Sequence, residues 1–245
     1  VFTDLTEVRR MQEQLRRADR LAAVGELAAS IAHEIRNPLA SIRGSVEILA
    51  GELDLAGHQE QLLQLILKES ARVNRIIEDF LDFARVRPPQ PRPVRLETFL
   101  PDVVLQVDQH VRAHGGVVDV RWSAPVGGLV VAVDPEQFVQ VVLNLAINAC
   151  EAMHYRGELR LDAVAEDGTC VCRIADSGPG LDPELRDRYF EPFVTTKRQG
   201  TGLGLTIVAR IVHGHGGAIE AANGPDGGAV FTLRLPLGPN GDDGR

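Results

Sequence analysis

Four prolines fall within six positions of "RVRPPQPRPV", at 88, 89, 91 and 93. Proline lacks a backbone N–H and holds φ near −65°, so neither a helix nor a central strand runs through such a stretch. A semi-rigid extended connection is the form left to it. The chain must therefore divide here, and the hydrophobic pattern changes across the division. A linker is expected over 88–94.

Before the prolines the pattern is helical. Apolar or small residues recur at Met11, Leu15, Ala18, Ala22, Gly25, Ala29 and Ala32, in alternating steps of four and three, which is a heptad seam. The seam resumes as Ile35, Leu39, Ile42, Val46, Leu49 and Leu53, but the step from Ala32 to Ile35 is three where four was due. A second stripe uses Leu62, Ile66, Val73, Ile76, Phe80 and Phe83, and the turn near "LAGHQE" joins the two into a helical hairpin. One hairpin cannot bury a two-sided stripe, so a dimeric four-helix bundle is expected.

After the prolines the pattern is mixed α/β. Residues 96 to 113 read as a helix, and "VVDVRW" and "LVVAV" as strands. A long helix follows, opened by Asp134 as cap and Pro135 at its first position. "ELRLDAVA" and "TCVCRIAD" read as paired strands, the region from about Gly202 to His213 as a helix, and "AIEAAN" and "AVFTLRLP" as the closing strands. The tail 239–245 reads as disordered.

Composition narrows the function. Of 245 residues, 44% are hydrophobic and 24% charged, which suits a globular chain. Aromatics are only 4%, so the core must be aliphatic. A net charge of −8, with no basic stripe carrying interleaved aromatics, argues against a nucleic-acid binder. Cys150, Cys170 and Cys172 are too few, and odd in number, for a disulfide framework; a reducing compartment is the simpler reading. No apolar run approaches the ~20 residues that span a bilayer. The chain begins at Val1, and the expectation is the cytoplasmic end of a longer protein, with a membrane connection only through an upstream region.

Three elements in the second half carry chemistry. "ADSGPGL" puts Asp176 at a strand end with Gly178 and Gly180 behind it. A buried carboxylate there accepts a hydrogen bond from an exocyclic amine, and the glycines let a flat base approach the backbone; ordinary turns also produce this pattern. "QGTGLGLTIV" puts Gly200, Gly202 and Gly204 before a helix, whose N-terminal N–H groups favour phosphate, although no Gly-Lys-Ser/Thr follows as in a P-loop. Asn144 and Asn148 lie four apart on one face of an apolar helix. Such amides need partners, either within the fold or as oxygen donors to Mg²⁺ beside substrate phosphates. His213 and His215 could suggest a metal pair, but no Cys or carboxylate accompanies them at ligand spacing.

Ordered along the chain, the three elements resemble the N, G1 and G2 boxes of the Bergerat-fold ATPases, which include DNA gyrase and sensor histidine kinases. "RYFEPFVTTK" resembles the F box and lid of the kinases, and "HGHGG" a frequent kinase sequence before the closing strands. "SIAHEIRNPLASI" resembles the H box of the dimerisation and phosphoacceptor domain of two-component sensor histidine kinases. The resemblance covers nearly the whole chain. "VFTDLTEVRRMQEQLRRADRLAAVGE" is also similar to the end of a PAS sensor domain running into a signalling helix, and the subgroup paired with nitrogen- and pilus-type regulators is the most similar.

The resemblance implies an α plus α/β architecture. An upstream sensor remnant would occupy 1–20, the dimerisation and phosphotransfer domain 21–87, and a Bergerat-type α/β sandwich that binds ATP 95–238. It implies His33 as phosphoryl acceptor, with Glu34 fixing the imidazole tautomer. Asn37 would orient water against the phosphorylated aspartate of a response regulator receiver domain. Pro38 removes a helical hydrogen bond one turn back, so a bend beside His33 is expected. Asn148 would coordinate Mg²⁺ with Asn144 assisting, and Asp176 would read the adenine amine. Gly178, Gly180, Gly200, Thr201, Gly202, Leu203 and Gly204 would line the nucleotide; Lys197 or Arg198 would either neutralise phosphate or simply be solvated. One departure stands out: "GAVF" has Ala229 where the family often has threonine. The alternatives are a Bergerat ATPase of another class, or a dimeric signalling scaffold without histidine phosphorylation.

Overall fold

A computed structural model describes residues 34–52, 57–84, 87–125, 128–186, 188–197 and 200–238. The expected sensor remnant, the first heptad seam, His33, Arg198 and the tail lie outside them. The chain divides into two compact units, one comprising residues up to Val86 together with Lys197–Thr201, the other Arg87–Thr196 with Gly202 onward.

The first unit is a helical hairpin of α1 (34–52) and α2 (His58–Ala84). Ile77, Leu81 and Ala84 of α2 are buried, with Leu39, Val73 and Phe80 packed against them. Helix α1 runs unbroken through Pro38, and Ser41 Oγ donates to the Asn37 carbonyl at 3.2 Å. Much of each expected stripe stays uncovered: Ile42 is 48% exposed and Ile66 42%, with Ile35, Leu49, Leu62 and Ile76 exposed as well. A single chain thus buries one apolar face of the hairpin and leaves another open to water.

The second unit layers three helices on one face of a five-stranded sheet. Its strands and helices are β1 (Arg92–Arg95), α3 (Leu96–Ala113), β2 (Val117–Ser123), β3 (Val130–Val133), α4 (Pro135–Ala152), β4 (Arg156–Glu166), β5 (Thr169–Asp176), α5 (Gly204–Gly214), β6 (Ala218–Asn223) and β7 (Ala229–Pro236). The sheet order is β2-β4-β5-β7-β6, with β2 parallel to β4 and the other pairs antiparallel. Alternation aims one side of each strand inward: Leu159, Leu161 and Ala163 of β4, Cys170, Cys172 and Ile174 of β5, and Phe231, Leu233 and Leu235 of β7 are buried. The helices answer with Leu96, Leu100, Val103, Val107 and Val111 at helical spacing on α3 and with Val141, Val142, Leu145 and Ala146 on α4. The outer sheet face is charged, with Arg121 and Arg160 bridging Glu158.

The stretch 88–94 differs from the expected linker. Arg92–Arg95 forms β1, paired antiparallel with β3 so that Pro93 lies opposite Ala132. A two-stranded ribbon has only edge strands, where the missing proline N–H leaves no ladder bond broken on the solvent side. Cys170 and Cys172 face inward from β5 with their Sγ atoms 3.5 Å apart, and all three cysteines are free and buried.

Candidate functional site

Asp176 ends β5 in phase with Cys172 and Ile174, so alternation alone turns its carboxylate inward, where it is 9% exposed. Oδ1 accepts from the backbone N–H of Gly178 at 2.8 Å and of Ala229 at 3.2 Å. Both bonds fall on one oxygen, which leaves Oδ2 as an acceptor for an incoming N–H group. Ala229 therefore serves Asp176 through its main chain, and the absent hydroxyl takes nothing from that bond.

The glycines beside Asp176 are required sterically. A Cβ on Gly178 would lie 2.8 Å from Asp176 Oδ1. Gly228 has φ +73°, and a Cβ there would sit 1.8 Å from the Asp176 carbonyl oxygen. The loop after β5 is tied to the end of β6 by Asn223, whose Oδ1 accepts from Leu181 N–H at 2.6 Å and whose Nδ2 donates to the Leu181 carbonyl at 3.1 Å. Met153, buried at the end of α4, forms the wall behind Gly157 and Gly178. Sequence reasoning missed Asn223, Met153 and Gly228; the Gly227–Gly228 pair before a strand was the one available signal.

Asn144 and Asn148 are half-buried on α4. A Cβ on Gly204, the first residue of α5, would lie 3.8 Å from Asn148 Nδ2 and 3.9 Å from Asn144 Oδ1. Residues sixty positions apart in the chain thus share one place. Gly202 has φ +70°, and its carbonyl accepts from Phe193 N–H at 3.0 Å, so "EPF" is held against the start of α5. The Leu203 side chain is a core residue, 1% exposed. Gly180 has φ +81° against Asn223. Lys197, Gly200 and Thr201 belong to the first unit, where Thr201 Oγ1 donates to Asp79 Oδ2 at 2.6 Å. Glu34 and Asn37 are exposed on α1.

The other end of α4 is anchored by a polar cluster. Asp134 caps the helix, accepting from Gln137 N–H at 3.4 Å. Its carboxylate also accepts from the Arg87 guanidinium at 2.5 Å and 3.3 Å and from Gln90 N–H at 3.0 Å. Burial alone pushes this carboxyl up, but the Gln90 N–H, the Arg87 guanidinium and the Gln137 N–H together hold it below the ordinary carboxylate value. His215 Nδ1 bonds the Ile211 carbonyl at 2.8 Å, so it carries the proton, and Nε2 accepts from Asp134 N–H at 2.9 Å. Both ring nitrogens are engaged, and a metal pair with His213 is not what this geometry builds. Among the described residues no group of three potential ligands is assembled for a metal ion.

Comparison with known proteins bears on this geometry. A family model described as histidine kinase-, DNA gyrase B-, and HSP90-like ATPase matches residues 133–239, and the His Kinase A (phospho-acceptor) domain matches 23–89. The signal transduction histidine-protein kinase AtoS of Escherichia coli strain K12 is 38% identical over 246 residues, covering 99% of this chain and 40% of AtoS. Sensor histidine kinase ZraS of the same strain is 35% identical over 93% of this chain and 48% of its own length. The chain spans less than half the length of these relatives. Among solved structures, full-length ShkA in complex with AMPPNP aligns with a TM-score of 0.69 at 29% identity, over 88% of this chain and 46% of ShkA. ThkA in complex with the response regulator protein TrrA aligns at 0.67 and 28% identity, over 97% of this chain and 69% of the other. The isolated catalytic domain of ThkA is 30% identical with a TM-score of 0.54, covering 60% of this chain and 95% of that domain. A helical unit matched by the phosphoacceptor family, followed by an ATPase-type sandwich with a buried carboxylate at a strand end and paired amides on its long helix, makes this chain a member of the two-component sensor histidine kinases.

Proposed function

We propose that this chain is the catalytic core of a sensor histidine kinase, transferring the γ-phosphoryl group of ATP to its own His33 and from there to an aspartate of a response regulator. The observation that carries the reading is two clusters set along α4: Asp176 with Gly178, which lies against Ala152 and Met153 at the end of the helix, and Asn144 and Asn148, one to two turns earlier, beside Gly204. Asp176 Oδ2 accepts the adenine amine. Gly202 and Gly204, at the start of α5, offer close backbone approach and helix-end N–H groups to the phosphates. The neutral amide oxygens of Asn144 and Asn148 fit Mg²⁺, which prefers oxygen donors and takes its remaining ligands from phosphate and water. When bound, that ion offsets the phosphate charge.

At the acceptor, a neutral ring nitrogen of His33 attacks the γ-phosphorus; the N–P bond forms as the bond to the ADP oxygen breaks. Glu34 accepts from the other ring nitrogen and balances the positive charge that develops. Asn37, one turn on, orients water for the reverse task, hydrolysis of the regulator's phosphoaspartate. Lys197, Gly200 and Thr201 act from the lid. A second copy of the chain covers Ile42, Ile66 and their exposed neighbours, completing a four-helix bundle. The ThkA–TrrA complex supports a receiver domain as partner. The working domains are 21–87 and 95–238.

The test is incubation with γ-labelled ATP and Mg²⁺ beside a His33→Gln variant. An acid-labile, alkali-stable label on the parent alone is expected. Label on neither protein while ATP still binds refutes autophosphorylation and favours a Bergerat ATPase of another class.

A further inference from the structure

The chain leaving α2 does not pass freely through its prolines. Arg87 is held by three residues: its Nη1 and Nη2 on Asp134 at 2.5 Å and 3.3 Å, its Nη2 also on Glu136 Oε2 at 2.9 Å, and its carbonyl by Gln137 Nε2 at 2.8 Å. Gln90 N–H shares the Asp134 carboxylate, and Pro89 lies against Gly214, a Cβ there being 3.8 Å from Pro89 Cδ. Every one of these contacts lies within the second unit. All of them converge on the first turn of α4 and the last turn of α5, the two helices that carry Asn144, Asn148 and Gly204. Asp134 is buried, and its main-chain N–H is fixed in turn by His215.

We propose that Arg87 is a positioning residue for phosphoryl transfer, clamping the connection from the phosphoacceptor hairpin onto the amino end of the helix that carries Asn144 and Asn148. The inference rests on the kinase reading above. Its consequence is a short tether. Between Ala84, the last residue of α2, and Arg87 stand only Arg85 and Val86, a span of at most about 10 Å. With the Arg87 contacts gone, the next holds are Pro89 on Gly214 and Gln90 N–H on Asp134, and the reach grows to about 17–20 Å. A short tether restricts the orientations from which ATP and His33 meet, and restricted orientation lowers the barrier to transfer without touching nucleotide affinity. The planar guanidinium spans two carboxylates at once, which a lysine ammonium does not reproduce.

The experiment compares parent, Arg87→Ala and Arg87→Lys in the same chain. For Arg87→Ala, kcat for autophosphorylation falls about tenfold while KM for ATP stays within about twofold; Arg87→Lys falls between. Spin labels at Lys68 and Glu220 give a wider distance distribution in Arg87→Ala than in the parent, a readout that needs no kinase activity. Unchanged kcat with an unchanged distance distribution overturns the clamp. So does a rise in KM at constant kcat, or a loss of kcat that merely tracks a lowered melting temperature. If the parent itself takes no label, the kinase reading fails, and the distance measurement still decides the clamp.

Discussion

Replacing Asp176 in two ways separates its structural role from the adenine recognition proposed for it. In Asp176→Asn the amide oxygen must take the Oδ1 place, because Gly178 and Ala229 both present N–H donors there. The amide nitrogen then occupies the Oδ2 place and faces the adenine amine donor to donor. Losing a charge-assisted bond costs about 1.5–3 kcal/mol, and an unmatched donor adds about 1–3 kcal/mol. A total near 4 kcal/mol weakens ATP binding roughly 10³-fold. Stability should fall by no more than about 1 kcal/mol, since both backbone donors keep an acceptor. In Asp176→Ala the buried Ala229 N–H and the part-buried Gly178 N–H lose theirs, at a combined cost of about 2–4 kcal/mol. Urea denaturation reads stability, and titration with a fluorescent ATP analogue reads affinity. The reasoning is refuted if Asp176→Asn binds nucleotide within threefold of the parent, or if the two variants are equally stable.

Gly228→Ala should lose about 2–5 kcal/mol, because a side chain at φ +73° meets the Asp176 carbonyl and no rotamer relieves it; an unchanged urea midpoint would count against the crowding seen there. Asp134 has its carboxyl held below the ordinary value, so its stabilisation is complete above about pH 4 and is lost as pH falls through the still lower folded value. Asp134→Asn should therefore melt lower than the parent at pH 7, with the gap closing below pH 4; a constant gap contradicts this. The Cys150 thiol is pushed up to about 11, first by burial and then by the charges of Asp176 and Glu151. Native protein should leave Cys150 unlabelled by a thiol reagent at pH 8, with reaction following unfolding; labelling ahead of unfolding would mean the core around it opens locally.

The second unit was readable because its signals are local. Alternation marked β4, β5 and β7, and Asp134 with Pro135 marked the start of α4, since capping and pleating act over a few residues. The linker was misread in part for the same reason. Prolines announce extended chain, but whether extended chain stays free or joins a strand depends on β3, some forty residues away. The two stripes of the hairpin were legible as apolar, while which of them one chain buries was not. On α2 the buried face is Ser70, Ile77, Leu81 and Ala84, whereas Ile66 and Ile76 remain exposed.

By itself the sequence determined the order of elements and which residue types were on offer for chemistry, because periodicity and side-chain type are both written into the covalent chain. Only the tertiary structure decided which atoms meet: Gly204 beside Asn144 and Asn148, the Ala229 main chain on Asp176, and Arg87 on Asp134. Those pairings join residues 47 to 60 positions apart, where contact is set by sheet order and helix packing, and no local pattern encodes the distance between them.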